Sequence, residues 1–390
     1  MKLKKIAIFS NARSEFGILA PLLKEIDKTK GLELLLFAGG SHLSKEHGYT
    51  IREIENSGFK VNAKIDIKIH GDTAYNLSEF SSLSQIKIAK IFKNFDFDCV
   101  CVVGDRFDIL PVIFNAILFN KLIIHIHGGE ITEGAIDNQI RHMITKSAHI
   151  HFAISQKYVE NILRMGEEKF RVHNTGALAI SNIKNIEKIP ISKILRDLKI
   201  NTNKPIILLT YHPVTLEFNL SYEEQIKNIF KALKEYDVQL IITSPGIDVG
   251  GKKILKKLRK ISEINSDYKY IDSLGYKVLY NLYPYLDFVI GNSSSGIIES
   301  PFFRIPTINI GERQKGRYMH ESIITSDYSV KSIKSAIKKV YSKQYKNKLI
   351  KMQYKFGNGT ANKKIVNILK KIDINNRLLR KKLSNINLNY

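Results

Sequence analysis

Short aliphatic runs alternate along the chain with stretches in which apolar positions recur every three or four residues. Ile6-Ala7-Ile8-Phe9 predicts a first strand, and Leu19, Leu22, Leu23 and Ile26 form one stripe of a helix over 17–28. Residues 32–37 predict a second strand. A weaker third falls near 59–65, ahead of a helical pattern over 74–93. Cys99–Val103 is a continuous apolar strand ending at Gly104, and a helix follows over 107–119. Leu122–Ile126 is another strand and runs into His127-Gly128-Gly129. A helix over 136–147 and a strand over 149–154 close the first half. Unbroken apolar strands separated by helices predict parallel sheets with right-handed crossovers.

The second half repeats this rhythm. Strands are predicted at 205–210, 238–243, 286–290 and Thr307–Ile310, with helices near 222–235, 250–264, 276–283 and 296–303. The last 60 residues read as two or three helices with a break at Gly357-Asn358-Gly359. Residues 182–204 are polar and rich in Lys and Asn, with Pro190 inside and Pro205 just beyond. The pattern therefore predicts an α/β fold of two doubly wound, Rossmann-like domains facing a cleft. Residues 1–181 form the first domain, 182–204 the connection, 205–360 the second domain, and 361–390 a C-terminal helix and basic tail. In such sheets ligands bind beyond the carboxyl ends of the strands, so the residues just after each strand are where chemistry is expected.

Composition sets limits on this picture. At 44% hydrophobic and 25% charged residues, the 390-residue chain is of globular type, which excludes extended disorder or a coiled coil as its main architecture. No stretch approaches the roughly 20 apolar residues of a membrane span. Lys2-Leu3-Lys4-Lys5 leads directly into the first strand and does not read as a signal peptide. Cys99 and Cys101 share one strand face and read as reduced core residues of a cytoplasmic protein. The net charge of +24 invites a nucleic-acid partner, but 17 basic residues and one acidic residue fall within 331–390. The excess is thus mostly a C-terminal feature, in a chain rich in Ile, Asn and Lys throughout. No DNA or RNA motif accompanies it and there is no Trp. A solvated helical face is the expected reading, and no nucleic-acid partner is expected.

The candidate chemistry sits at strand ends. Ser10-Asn11-Ala12-Arg13-Ser14-Glu15-Phe16-Gly17 lacks the G-x-G-x-x-G fingerprint, which argues against a dinucleotide site. Arg13 in that strand-to-helix loop can still hold a phosphate. Gly39-Gly40-Ser41-His42 presents a histidine, and Gly104-Asp105-Arg106 presents an acid beside a base. The densest segment is His125-Ile126-His127-Gly128-Gly129-Glu130 with Asp137, Arg141 and His142 beyond. Alternation places His125 and His127 on one face, and Asp137 and Arg141 are spaced to pair along a helix. His-x-His with carboxylates could bind a metal, but further ligands at recognisable spacing are missing, so no metal and no cofactor are expected. General acid/base work by Asp105, His127 or Glu130, and His42 is the alternative. In the second half, Tyr211-His212-Pro213 ends a strand. Asn292-Ser293-Ser294-Ser295-Gly296 opens a helix containing Glu299, and Gly311-Glu312-Arg313-Gln314-Lys315-Gly316-Arg317 gathers three cations. Hydroxyls, free N–H groups and an arginine loop together suit a phosphate or pyrophosphate.

In this order and spacing the motifs resemble the hydrolysing UDP-N-acetylglucosamine 2-epimerases, a two-domain class with a GT-B-like fold. The resemblance covers about residues 4–372 and is carried by Arg13-Ser14-Glu15-Phe16-Gly17, Gly40-Ser41-His42-Leu43, Gly104-Asp105-Arg106, His125 to Glu130, Asp137 with Ile140-Arg141-His142, His212-Pro213-Val214-Thr215, Gly291-Asn292-Ser293-Ser294 with Glu299, and Ile310-Gly311-Glu312-Arg313-Gln314. It implies loss of the C2 proton of an N-acetylhexosamine as the nucleoside diphosphate leaves C1. Hydration of the 2-acetamidoglucal and reprotonation from the other face would follow. It also implies Asp105 and Asp137 as acid/base residues, Arg13, His212, Ser293, Ser294 and Arg313 as nucleotide and diphosphate contacts, and Glu299 on the ribose. Arg106 joins the diphosphate cations. Many relatives carry Glu where His127 stands, so either His127 or Glu130 takes that Glu's role. Relatives often carry Asn where Gly246 stands. The sugar is GlcNAc or N,N'-diacetylbacillosamine on UDP or GDP, in sialic- or legionaminic-acid synthesis. A non-hydrolysing epimerase and a GT-B glycosyltransferase are the rivals. The family also implies a homodimer or homotetramer.

Overall fold

A computed structural model describes residues 3–384, except 69, 202 and 218. Two parallel sheets form its two lobes. The first has the order β3-β2-β1-β4-β5-β6-β7, built from β1 (Lys4–Ser10), β2 (Leu32–Gly39), β3 (Ala63–Ile65), β4 (Cys99–Val103), β5 (Leu122–Ile126), β6 (Ile150–Ala153) and β7 (Val172–Asn174). The second runs β10-β9-β8-β11-β12-β13, from β8 (Ile206–Thr210), β9 (Gln239–Thr243), β10 (Tyr268–Ile271), β11 (Phe288–Gly291), β12 (Thr307–Ile310) and β13 (Ile323–Ser326). In each sheet the strand order reverses beside its first strand, between β1 and β4 and between β8 and β11. These are topological switch points, where loops diverge and leave a crevice. Among the described residues no helix is long and apolar enough to cross a membrane.

Every strand expected from the sequence is present. The pattern missed β7, β10 and β13, which are short outer strands of the two sheets. The stretch 182–204 is less irregular than expected. The helix Leu178–Asn185 runs into it, and a second helix, Ile191–Asp197, forms within it. Pro190 stands at that helix's N-cap, where a missing N–H costs nothing, so the proline starts the helix.

The described C-terminal residues fold back onto the first lobe. The helix Ala361–Lys371 returns to the first lobe and packs on the helices Arg13–Asp27 and Leu178–Asn185. Gly357 (φ +93°) lets the returning chain lie directly against the backbone of Gly176. Beyond it, buried Arg171 donates to the carbonyls of Leu378 (2.6 Å), Arg377 (3.1 Å) and Arg380 (3.3 Å). Lys381 reaches the buried carboxylate of Glu167 at 2.8 Å, which also meets His151 and Lys146. Lys381 thus helps hold the chain end in place, whereas most of the other basic side chains of 331–382 are exposed, as the expected solvated face requires.

Candidate functional site

The carboxyl ends of the two sheets face one cleft of about 190 Å³, lined from both lobes. Arg13, Asp105, Arg106, His127, Glu130, Asp137, His212, Ser293, Ser294 and Arg313 all line it.

On the first lobe, the loop after β1 is closed from within. Glu15 turns back and accepts the N–H groups of Asn11 (2.7 Å) and Ala12 (3.2 Å). Its carboxylate thus closes a capping box on the N-cap Ala12 at the helix start. Arg106 lies between Asp108 (2.9 Å) and Glu15 (3.4 Å). Burial, with Asp108 alongside, pushes Glu15 above the usual carboxyl range. Arg13 donates to the Asp272 carbonyl across the cleft at 2.6 Å.

The expected pairing of Asp137 with Arg141 does not form. Arg141 is 1% exposed and turns inward, donating to the Glu130 carbonyl (2.8 Å) and Thr132 Oγ1 (3.1 Å) and pairing with the Asp105 carboxylate. Asp137 instead meets Arg313 from the second lobe at 3.1 Å. A buried guanidinium needs an anion, and an exposed-type pair along a helix is worth only about 0.3–0.5 kcal/mol, so the tertiary partners win. Burial pushes Asp137 up against the pull of Arg313, with Asp248 adding to the rise.

His125 and His127 do not act together. His125 is fully buried, with Nε2 on the Gly104 carbonyl (2.7 Å) and Nδ1 on Thr145 (3.2 Å). The strand ends at Ile126, and His127 leaves it at φ +70°. Its Nδ1 meets Glu130 Oε1 at 2.7 Å. Glu130 Oε2 lies 2.6 Å from Arg317 Nη1 of the second lobe, a charge contact without hydrogen-bond alignment.

His42 does not reach the cleft, against the expectation that it joins the acid/base set. It is fully buried, with Nε2 on Ser10 Oγ (3.0 Å) and Nδ1 on Thr50 Oγ1 (2.8 Å). Both ring nitrogens are used, and burial pulls it down to about 3, so it is a neutral core histidine.

On the second lobe, Asn292 joins the two central strand ends. It accepts the His212 N–H (2.7 Å) and donates to the His212 carbonyl (2.9 Å). Its own carbonyl takes Gln314 Nε2 (2.8 Å) and Arg313 Nη1 (3.3 Å). The N–H of Gly246 donates to His212 Nδ1 at 2.9 Å. That bond leaves the proton of a neutral His212 on Nε2, ready to donate. Ser293 and Ser294 open a helix of only four residues, Ser295–Ile298. Glu299 follows it, buried, and is not among the residues lining the cleft; burial pushes it up to about 8. Among the described residues no His, Cys, Asp and Glu cluster suits a metal ion.

Sequence pattern marks Arg317 only as one cation of its loop, and Glu15 only as part of a motif. Their cleft roles depend on contacts from distant elements, which spacing does not reveal.

A family profile described as UDP-N-acetylglucosamine 2-epimerase matches residues 24–370. The chain is 38% identical over 348 residues to the GDP/UDP-N,N'-diacetylbacillosamine 2-epimerase (hydrolyzing) of Campylobacter jejuni, covering 89% of this chain and 90% of that one. It is 26% identical over 379 residues to the UDP-N,N'-diacetylbacillosamine 2-epimerase (hydrolyzing) of Legionella pneumophila, covering 97% and 99%. In structure it is similar to the UDP-GlcNAc 2-epimerase of Neisseria meningitidis bound to UDP-GlcNAc, with a TM-score of 0.80 at 17% identity over 95% of this chain and all of that one.

Proposed function

We propose the following reaction from one premise: this chain belongs to the UDP-N-acetylglucosamine 2-epimerase family. It is a hydrolysing 2-epimerase, and its substrate is GDP- or UDP-linked N,N'-diacetylbacillosamine. The products are 2,4-diacetamido-2,4,6-trideoxymannose and the nucleoside diphosphate. The observation that carries the sugar assignment is the 38% identity, over nine-tenths of both chains, to the Campylobacter jejuni enzyme.

The cleft supports the chemistry by its division of labour. Carboxylates and an imidazole on the first lobe, Asp105, His127, Glu130 and Asp137, face His212, Ser293, Ser294 and Arg313 on the second. A base takes the C2 proton, the C2–H pair becomes the C1=C2 bond, and the C1–O bond breaks with its electrons going to the diphosphate. Water then adds its hydroxyl to C1 while a proton returns to the other face of C2. The C2 proton is weakly acidic, so charge on the departing diphosphate must be stabilised as it forms. In this reading Arg13, Arg106, Arg313, the His212 Nε2–H and the two serine hydroxyls supply that stabilisation. A diphosphate on Arg313 would compete with Asp137 for the same guanidinium. Asp137, already raised by burial, would then be left a proton donor.

The test is a panel of UDP- and GDP-linked GlcNAc and N,N'-diacetylbacillosamine, followed by NMR. Free nucleoside diphosphate with an epimerised free sugar is expected, without any acceptor. Persistent nucleotide sugar would point to the non-hydrolysing epimerase, and turnover only with an acceptor to a GT-B glycosyltransferase. The reading places the enzyme in the cytoplasm, supplying nonulosonic acids of the sialic or legionaminic type. It also assembles as a homodimer or homotetramer. In support, the helix Leu110–Leu118 leaves Phe114, Ile117 and Leu118 roughly half exposed beside exposed Ile86 and Met143, an apolar face suited to a second copy. Light scattering that returned a monomer mass would refute the assembly.

A further inference from the structure

Five non-glycine residues among those described have positive φ, and of these His127 alone lines the cleft. A β-carbon at φ +70° is strained, and such strain persists only where surrounding contacts enforce it. Here they do. The His127 N–H is held on the Phe152 carbonyl at 3.0 Å, and the ring is fixed through Nδ1 on Glu130 at 2.7 Å. Nε2 is buried and has no partner among the described residues. Glu130 is fully buried, one oxygen on the imidazole and the other against Arg317. Arg141 holds its backbone carbonyl. Both Glu130 oxygens thus face a partner, the imidazole on one side and the Arg317 cation on the other, whereas His127 Nε2 faces none among the described residues.

We propose that His127 Nε2 is the atom that takes the C2 proton, that Glu130 is a positioning residue acting through His127 Nδ1, and that Arg317 is a second positioning residue, delivered across the cleft from the second lobe. The roles rest on the reaction assigned above. With Glu130 ionised, Nδ1 carries the proton of the neutral ring, which leaves the Nε2 lone pair as the base. As C2–H breaks, its electron pair forms C1=C2, the C1–O bond breaks toward the diphosphate, and His127 becomes an imidazolium facing the Glu130 carboxylate. Burial pushes Glu130 up, but Arg317 and His127 overcome it and hold the carboxylate below its usual range. Arg317 lies in the loop after β12, so the trio is complete only while the lobes are together.

The two positioning residues carry opposite charges, which gives the proposal a signed test. Histidine ¹⁵N NMR of the full chain, with the His127 signals identified by their loss in His127→Gln, reads the tautomer and the titration without requiring turnover. The expected wild-type tautomer is Nδ1–H. Glu130→Gln should move the His127 midpoint down by roughly one pH unit and Arg317→Ala should move it up, with Arg317→Lys near wild type. The acid limb of kcat should shift in the same directions. Imidazole should restore turnover to His127→Ala and not to Glu130→Gln. An Nε2–H tautomer, or midpoints unmoved by both variants, would overturn the proposal. So would an Arg317→Ala enzyme with raised KM and an unmoved acid limb, which would make Arg317 a phosphate grip. If Arg317→Ala does not fold, Arg317→Lys and Glu130→Gln still carry the test. Absence of any nucleotide release by the wild type would sink the reaction reading, while the tautomer and titration would still decide the trio.

Discussion

Asp105→Asn changes one carboxylate into an amide of nearly the same shape, and two consequences follow. The first is structural. Arg141 would lose its counter-ion while keeping the Glu130 carbonyl and Thr132 Oγ1. Removing one member of a buried ion pair costs about 3–5 kcal/mol. The Asp105 side chain is 18% exposed and Arg141 keeps two neutral acceptors, so the cost falls at or just below the bottom of that range, about 2–3 kcal/mol. At roughly 2–4 °C per kcal/mol, calorimetry should record a fall in Tm of about 4–12 °C. Adding Arg141→Met should recover part of that loss, because the uncompensated cation goes with it. The second consequence is chemical. If Asp105 moves a proton, kcat should fall by about 10²–10⁴-fold. Nucleoside diphosphate binding, measured by titration calorimetry, should stay within about threefold, since Asp105 makes no contact with the second-lobe anion groups. A Tm within about 1 °C of wild type would refute the ion-pair argument. Loss of binding in step with loss of turnover would refute the acid/base role.

Arg313→Ala removes a diphosphate cation and should raise the Kd for the nucleoside diphosphate by about 10–100-fold; unchanged binding in a calorimetric titration would exclude it from the anion site. His42→Gln should keep turnover within about threefold, because both His42 nitrogens bond inside the core and not in the cleft. It also carries a pH signature. His42 is held at about 3 in the fold, so below about pH 6.5 the unfolded chain binds a proton that the fold refuses. Wild type should lose stability at up to ~1.4 kcal/mol per pH unit on this account, and its advantage over His42→Gln should shrink from pH 6.5 to 5; a constant gap in denaturant titrations would refute it. Truncation after Asn375 strips Arg171 of three carbonyl acceptors and Glu167 of Lys381. It should cost about 3–6 kcal/mol in urea titrations with kcat of the folded fraction unchanged, and an unaltered midpoint would refute a stabilising role for these contacts.

The parts legible in the sequence share a physical cause. Strands β1, β4, β5, β8 and β9 are buried on both faces, so they appear as unbroken apolar runs whatever surrounds them. The outer strands do not. β10 reads Tyr-Lys-Tyr-Ile and is half buried along its length, a pattern shared with many loops. The cleft positions were legible for a related reason. Strand order alone dictates that ligands meet the residues after β1, β4, β8 and β11, so Arg13, Asp105, His212 and Ser293 could be singled out before any contact was known. Partners were not legible, because spacing reports only local geometry. Asp137 and Arg141 stand four positions apart on one helix, yet each is claimed by a residue from elsewhere, Arg313 at 176 positions' distance and Asp105 at 36. Strand alternation failed at His127 in the same way. A period of two holds only while the strand lasts, and β5 ends one residue earlier. The left-handed turn that follows separates His127 from its neighbour His125 and aims it at Glu130. Pattern reading therefore loses its warrant at strand ends, where the backbone stops repeating and a side chain can be turned toward a substrate. His42 shows the converse: it has a strand-end address, but Ser10 and Thr50 take both its nitrogens, and position alone did not make it part of the site.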